Sequence, residues 1–124
     1  MPKILLIEDV EVVRKVVHKM LNRLGHQVDD AIDGVDGLSK LKQSSYDLVI
    51  TDIWMPGIDG ISFIRQVRQH DPHLKILAFS GGAPRASAVY SLSEAKTTGA
   101  NAILMKPVDR QELEQAIQEV IGSK

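Results

Sequence analysis

The sequence has no cysteine among its 124 residues, which excludes disulfides, thiolate zinc sites and cysteine nucleophiles. It also lacks an excess of charge: 15 Lys and Arg stand against 16 Asp and Glu, a formal net charge of −1. No overall field therefore favours nucleic acid or an anionic membrane, and neither is expected as a direct partner. Long hydrophobic runs are missing as well. The run after Met1-Pro2-Lys3 is too short for a signal peptide or a bilayer span, so a soluble, cytoplasmic protein is expected. No linker, repeat or low-complexity tract interrupts the chain, and its length suits one domain over residues 1–124. Gly81-Gly82-Ala83-Pro84 is not a phosphate-binding P-loop, because the glycine-lysine-serine/threonine ending is absent.

What is present is a set of short apolar runs that end in charge. Leu48-Val49-Ile50 leads through Thr51 to a single carboxylate, Asp52, and then to Pro56, Gly57 and Asp59-Gly60. A run this short, bounded by turn formers, reads as a buried strand. Ile4 to Ile7 ends likewise in Glu8-Asp9, Leu74 to Phe79 in Ser80, and Ala102 to Met105 in Lys106-Pro107. Gln27 to Ile32 is a weaker strand whose Asp29 and Asp30 suit a sheet edge or a strand end. Between the strands, apolar residues recur at helical spacing. The first such set is Val12, Val13, Val16, Val17, Met20, Leu21 and Leu24, with Gly25 as the stop and His18 and Lys19 off the stripe, facing solvent. Asp33-Gly34 reads as a turn before a helix carrying Val35, Leu38 and Leu41. Asp59 can cap a helix with Ile61, Ile64 and Val67, and residues 86–98 form a helix of modest quality. Asp109 to Glu112 has capping-box spacing ahead of a last amphipathic helix. His70 and His73 flank a turn with no third metal ligand close in sequence.

Strand and helix alternate five times, which demands parallel strands, right-handed crossovers and helices on both faces. The fold expected is a doubly wound α/β sheet of five strands in the order 2-1-3-4-5. That order gathers Glu8, Asp9, Asp52, Ser80 and Lys106 at one rim, where the strands' carboxyl ends meet. Clustered carboxylates repel by about 4 kcal/mol per pair at ~4 Å and an effective dielectric near 20, so they call for a cation. An oxygen-only set favours a hard ion such as Mg²⁺. With lysine and serine donors opposite, the rim suits a tetrahedral anion on one carboxylate, and hence phosphoryl transfer to an aspartate.

On Glu8-Asp9, Asp52 with Met55-Pro56 and Asp59-Gly60, Ser80, and Lys106-Pro107, the whole chain resembles response-regulator receiver domains of two-component signalling, of the chemotaxis-regulator-like kind. The resemblance implies a flavodoxin-like fold and a phosphoacceptor switch rather than a turnover enzyme. Asp52 would take a phosphoryl group from the phosphohistidine of a sensor histidine kinase or a phosphotransfer protein. Asp9, Asp52 and the backbone carbonyl of Trp54 would ligate Mg²⁺, with Glu8 acting through coordinated water. Ser80 would bond the phosphoryl group and Lys106 would pair with it across a cis Lys106–Pro107 bond.

The chain departs from the family pattern at Ile103, where an aromatic switch residue is usual, and at Val108 and Trp54. Residues 80–99 also run longer by about one helical turn. These departures keep a second reading open, a receiver-fold interaction module that works without phosphorylation. A phosphatase passing through an aspartyl phosphate is disfavoured, since Trp54 stands where a second acid would protonate the leaving group. No DNA-binding or enzymatic output domain is expected within these 124 residues. A complete chain is therefore expected to signal by binding a downstream protein, whereas a chain cut from a longer regulator would have its output elsewhere.

Overall fold

The computed structural model describes residues 2–53, 60–80 and 99–122, with Ser80 described by its backbone alone. The elements are β1 (Lys3–Ile7), α1 (Glu11–Arg23), β2 (Gln27–Ala31), α2 (Gly34–Gln43), β3 (Leu48–Asp52), α3 (Gly60–His70), β4 (Lys75–Ser80), β5 (Ala102–Met105) and α4 (Arg110–Ile121). All strand pairs are parallel, as the alternation of elements requires, and the order is the expected β2-β1-β3-β4-β5. The acid-bearing β2 is indeed an edge.

Side chains of successive strand residues point to opposite faces, and two cores result. Ile4, Leu6, Leu48, Ile50, Leu77 and Phe79 pack with α1 and α4. Leu5, Ile7, Val49, Ile76 and Ala78 pack with α2 and α3. The central strand residues Ile4 to Ile7 and Leu48 to Ile50 are wholly buried. Each such side chain contributes about 1.5–3 kcal/mol, a reserve that lets the strand ends carry unfavourable charge.

Several local expectations change. Asp33-Gly34 is a helix start rather than a free turn: the Asp33 carboxylate accepts from the Asp36 N–H at 2.8 Å and caps α2. Asp109 holds the cap position of α4 without a side-chain cap bond. Gly25 does end α1, at φ +93°, where a left-handed residue is required. Its N–H bonds the Asn22 carbonyl and the His26 N–H bonds that of Leu21, closing the helix in a Schellman motif. The apolar stripe of α1 is narrower than its sequence: Val17 and Leu21 are buried, whereas Val12 is 72% and Val16 48% exposed. Val35 on α2 is exposed too. His18 is half-buried, with Nδ1 2.6 Å from Asp30 Oδ1, so it is not simply solvated. The expected Asp59 cap, the 86–98 helix and the Gly81-Gly82 loop lie outside the described residues.

Candidate functional site

The strand register builds the site. Ile7 of β1 pairs with Thr51 of β3, so the next residues, Glu8 and Asp52, stand side by side at the carboxyl ends of the two strands. On the other flank Asp52 pairs with Phe79, and Ser80 with Met105, which puts Lys106 just past the end of β5. α3 then closes in. The Gly60 N–H bonds the Ile53 carbonyl at 2.9 Å. A Cβ on Gly60 would lie 2.4 Å from the Asp52 carbonyl oxygen, so only glycine permits this approach.

Glu8, Asp9 and Asp52 each place a carboxylate oxygen within 4.8 Å of the others. Glu8 is 1% and Asp52 4% exposed, which makes the crowding costly. Lys106 answers part of it. Its Nζ donates to Glu8 Oε1 and, at 3.1 Å, to Asp52 Oδ2. Glu8 Oε2 accepts from the Val10 N–H at 3.2 Å. Burial and the Asp52 charge together push the Glu8 carboxyl above its usual range, against the pull of Lys106. Burial alone would lower the Lys106 ammonium, but its bond to Glu8 and the two carboxylate charges raise it above the ordinary lysine value. The lysine therefore stays charged.

One part of the cluster has no answer among the described residues. Oδ1 of Asp9 and Oδ1 of Asp52 are buried without a hydrogen-bond partner among the described residues. Two such acceptors, in an all-oxygen set whose carboxylates approach within 4.8 Å, suit a hard divalent cation that takes one or two carboxylates and keeps several waters. His70 and His73 join no such group among the described residues.

Of the residues singled out in the sequence, Glu8, Asp9, Asp52 and Lys106 come together. Trp54 and the Ser80 side chain lie outside the described residues. The Lys106–Pro107 bond is cis. Ile103 packs on the α2–α3 side of the sheet and Val108 on the α1–α4 side. Sequence reasoning missed Arg14, whose Nη1 donates to the Glu8 backbone carbonyl at 2.9 Å. The available signal was a basic residue early in the helix that directly follows the paired acids.

The chain matches the response regulator receiver domain family over residues 4–118, and it belongs to that family. It is 35% identical over 121 residues to the transcriptional regulatory protein AfsQ1 of Streptomyces coelicolor, covering 98% of this chain and 52% of AfsQ1. It thus spans about half the length of that relative. It is 31% identical over 121 residues to the chemotaxis protein CheY-3 of Vibrio cholerae, covering 95% of this chain and 90% of CheY-3. Among solved structures it is similar to the receiver domain of the sensor histidine kinase PA1611 from Pseudomonas aeruginosa PAO1, which has a magnesium ion coordinated in its active-site cleft. That likeness has a TM-score of 0.86 at 31% identity, over 98% of each chain.

Proposed function

We propose that residues 1–124 act as a single phosphoacceptor domain in two-component signalling, with Asp52 as the acceptor. The observation that carries this reading is the pair of buried oxygens on Asp9 and Asp52 with no hydrogen-bond partner among the described residues, set against a lysine already on the other Asp52 oxygen. Asp9, Asp52 and the Trp54 carbonyl would hold Mg²⁺, with Glu8 behind them through water. When bound, the ion neutralises charge that builds on the phosphoryl oxygens.

The protein's own groups do the rest. An Asp52 oxygen attacks phosphorus as the nitrogen–phosphorus bond of a phosphohistidine breaks, and the imidazole leaves with that electron pair. Lys106 is placed to follow the negative charge from the Asp52 carboxylate to the new phosphoryl group. Ser80, next to Lys106 at the strand ends, would donate its hydroxyl to another phosphoryl oxygen. The donor would be a sensor histidine kinase or a phosphotransfer protein. Exposed Val12 and Val16 border a groove of about 330 Å³ that reaches Lys106 and Val108, and an apolar helical partner resting there would bring its histidine to the rim. The output would be altered binding to a downstream protein.

Incubation with a small phosphodonor, with and without Mg²⁺, tests the reading by intact mass. One added phosphoryl group is expected, and only with the metal. An unlabelled protein in saturating Mg²⁺ and donor would overturn it.

A further inference from the structure

Arg14 takes no part in the chemistry above, yet it holds the loop that carries the acids. Its Nη1 donates at 2.9 Å to the backbone carbonyl of Glu8. That carbonyl belongs to the peptide joining Glu8 to Asp9, so its direction sets where the Asp9 backbone begins. On the other side, the Glu8 N–H donates to the Ala31 carbonyl at 3.0 Å. The Glu8 backbone is therefore held at both ends, once by the neighbouring strand and once by a side chain.

The arginine is itself held. Its side chain is only 15% exposed, and its Nε lies 3.9 Å from Asp30 Oδ2. Asp30 in turn meets His18 at 2.6 Å through its other oxygen, and its backbone carbonyl accepts from Lys40. A pair near 4 Å adds little stability. Its effect here is directional, because a planar guanidinium anchored at one nitrogen can aim another.

We infer that Arg14 is a positioning residue for the metal and phosphoryl site: by bonding the Glu8 carbonyl it fixes the Glu8–Asp9 peptide so that both carboxylates converge on Asp52. This rests on the phosphoacceptor reading above. Without the bond the peptide is free to rotate, and Asp9 loses its alignment while the two cores stay packed.

The test is a Mg²⁺ titration of the wild type, Arg14→Met and Arg14→Lys, followed by fluorescence of Trp54, the sole tryptophan. Amide exchange at Val10 in metal-free protein gives a second readout, since its N–H bonds Glu8 Oε2. For Arg14→Met the dissociation constant should rise roughly tenfold, the low end of what losing an orienting group costs a metal site. Val10 should exchange faster, and labelling should fall more at limiting than at saturating Mg²⁺. Arg14→Lys keeps the charge and loses the fork, so only partial recovery is expected. An unchanged dissociation constant in Arg14→Met would overturn the inference, as would full recovery in Arg14→Lys or losses that track melting temperature alone. If Arg14→Met does not fold, Arg14→Gln carries the same comparison. A wild type that binds no Mg²⁺ would instead sink the phosphoacceptor reading itself.

Discussion

Lys106 Nζ lies 3.1 Å from Asp52 Oδ2, although 54 residues separate the two in the chain. The same ammonium is bonded to Glu8, so one cation is shared between two buried carboxylates while Asp9 stands beside them. Removing the cation leaves those charges uncompensated. Lys106→Met should lower metal-free stability by about 3 kcal/mol, near the lower limit for breaking a buried ion pair. Mg²⁺ should restore more stability in this variant than in the wild type. Thermal melts with and without the metal check both statements, and a metal-free variant as stable as wild type would contradict them.

Asp9→Asn should act in the opposite direction. It removes a carboxylate whose Oδ1 has no partner among the described residues, and so relieves repulsion that serves metal binding. Metal-free stability should rise by about 1 kcal/mol, within the range of single stabilising substitutions. The stabilisation by Mg²⁺ should largely vanish. Denaturant midpoints at several Mg²⁺ concentrations test this directly.

The two helix glycines that meet close neighbours should differ in their tolerance of alanine. At Gly60 the added Cβ would meet backbone, the Asp52 oxygen at 2.4 Å and Ile53 Cα at 2.6 Å. At Gly37 it would meet the end of the Ile7 side chain at 2.5 Å. Gly60→Ala should therefore cost about 3 kcal/mol, the upper part of the overpacking range, and weaken labelling because it displaces Asp52. Gly37→Ala should cost less, offset by about 1 kcal/mol of helix propensity, and leave the acid site in place. Equilibrium unfolding of the two variants ranks them.

His26 makes stability depend on pH. Burial lowers its pKa, the Glu114 charge opposes that, and Nδ1 is buried without a partner among the described residues. The unfolded chain then takes up a proton near the ordinary value of about 6.5 while the folded chain does not. The contribution is complete above that pH and is lost as pH falls toward the depressed folded value. In His26→Gln the decline in stability between about pH 8 and about pH 5.5 should be shallower than in wild type. Taking the difference between the two proteins cancels the acid site, where the raised Glu8 pKa works in the opposite direction.

Strands and their order were legible because each is a short apolar run with a charged or turn-forming end, and alternation with helices leaves few topologies. The convergence of Glu8, Asp9, Asp52 and Lys106 followed from that order alone. Details set by distant partners were not legible. Val12 and Val16 share the helical spacing of Val17 and Leu21, but spacing does not tell how wide a stripe the sheet covers. His18 looked solvated because Asp30, its partner, comes from the next strand. Arg14 was missed for a related reason: its acceptor is a backbone carbonyl, which no sequence pattern displays. Lys106 was read as a positive charge opposite the acids, but its direct bonds to Glu8 and Asp52 are set by partners distant in the chain.

The identity of the acceptor is the centre of this account, and borohydride reduction reads it position by position. An aspartyl phosphate is reduced to homoserine, which peptide mass mapping locates. Protein labelled with a small phosphodonor in Mg²⁺ should yield homoserine at position 52 alone, and Asp52→Asn should yield none. Conversion at Asp9 or Asp59 instead, or labelling of Asp52→Asn equal to wild type, would contradict the assignment of Asp52.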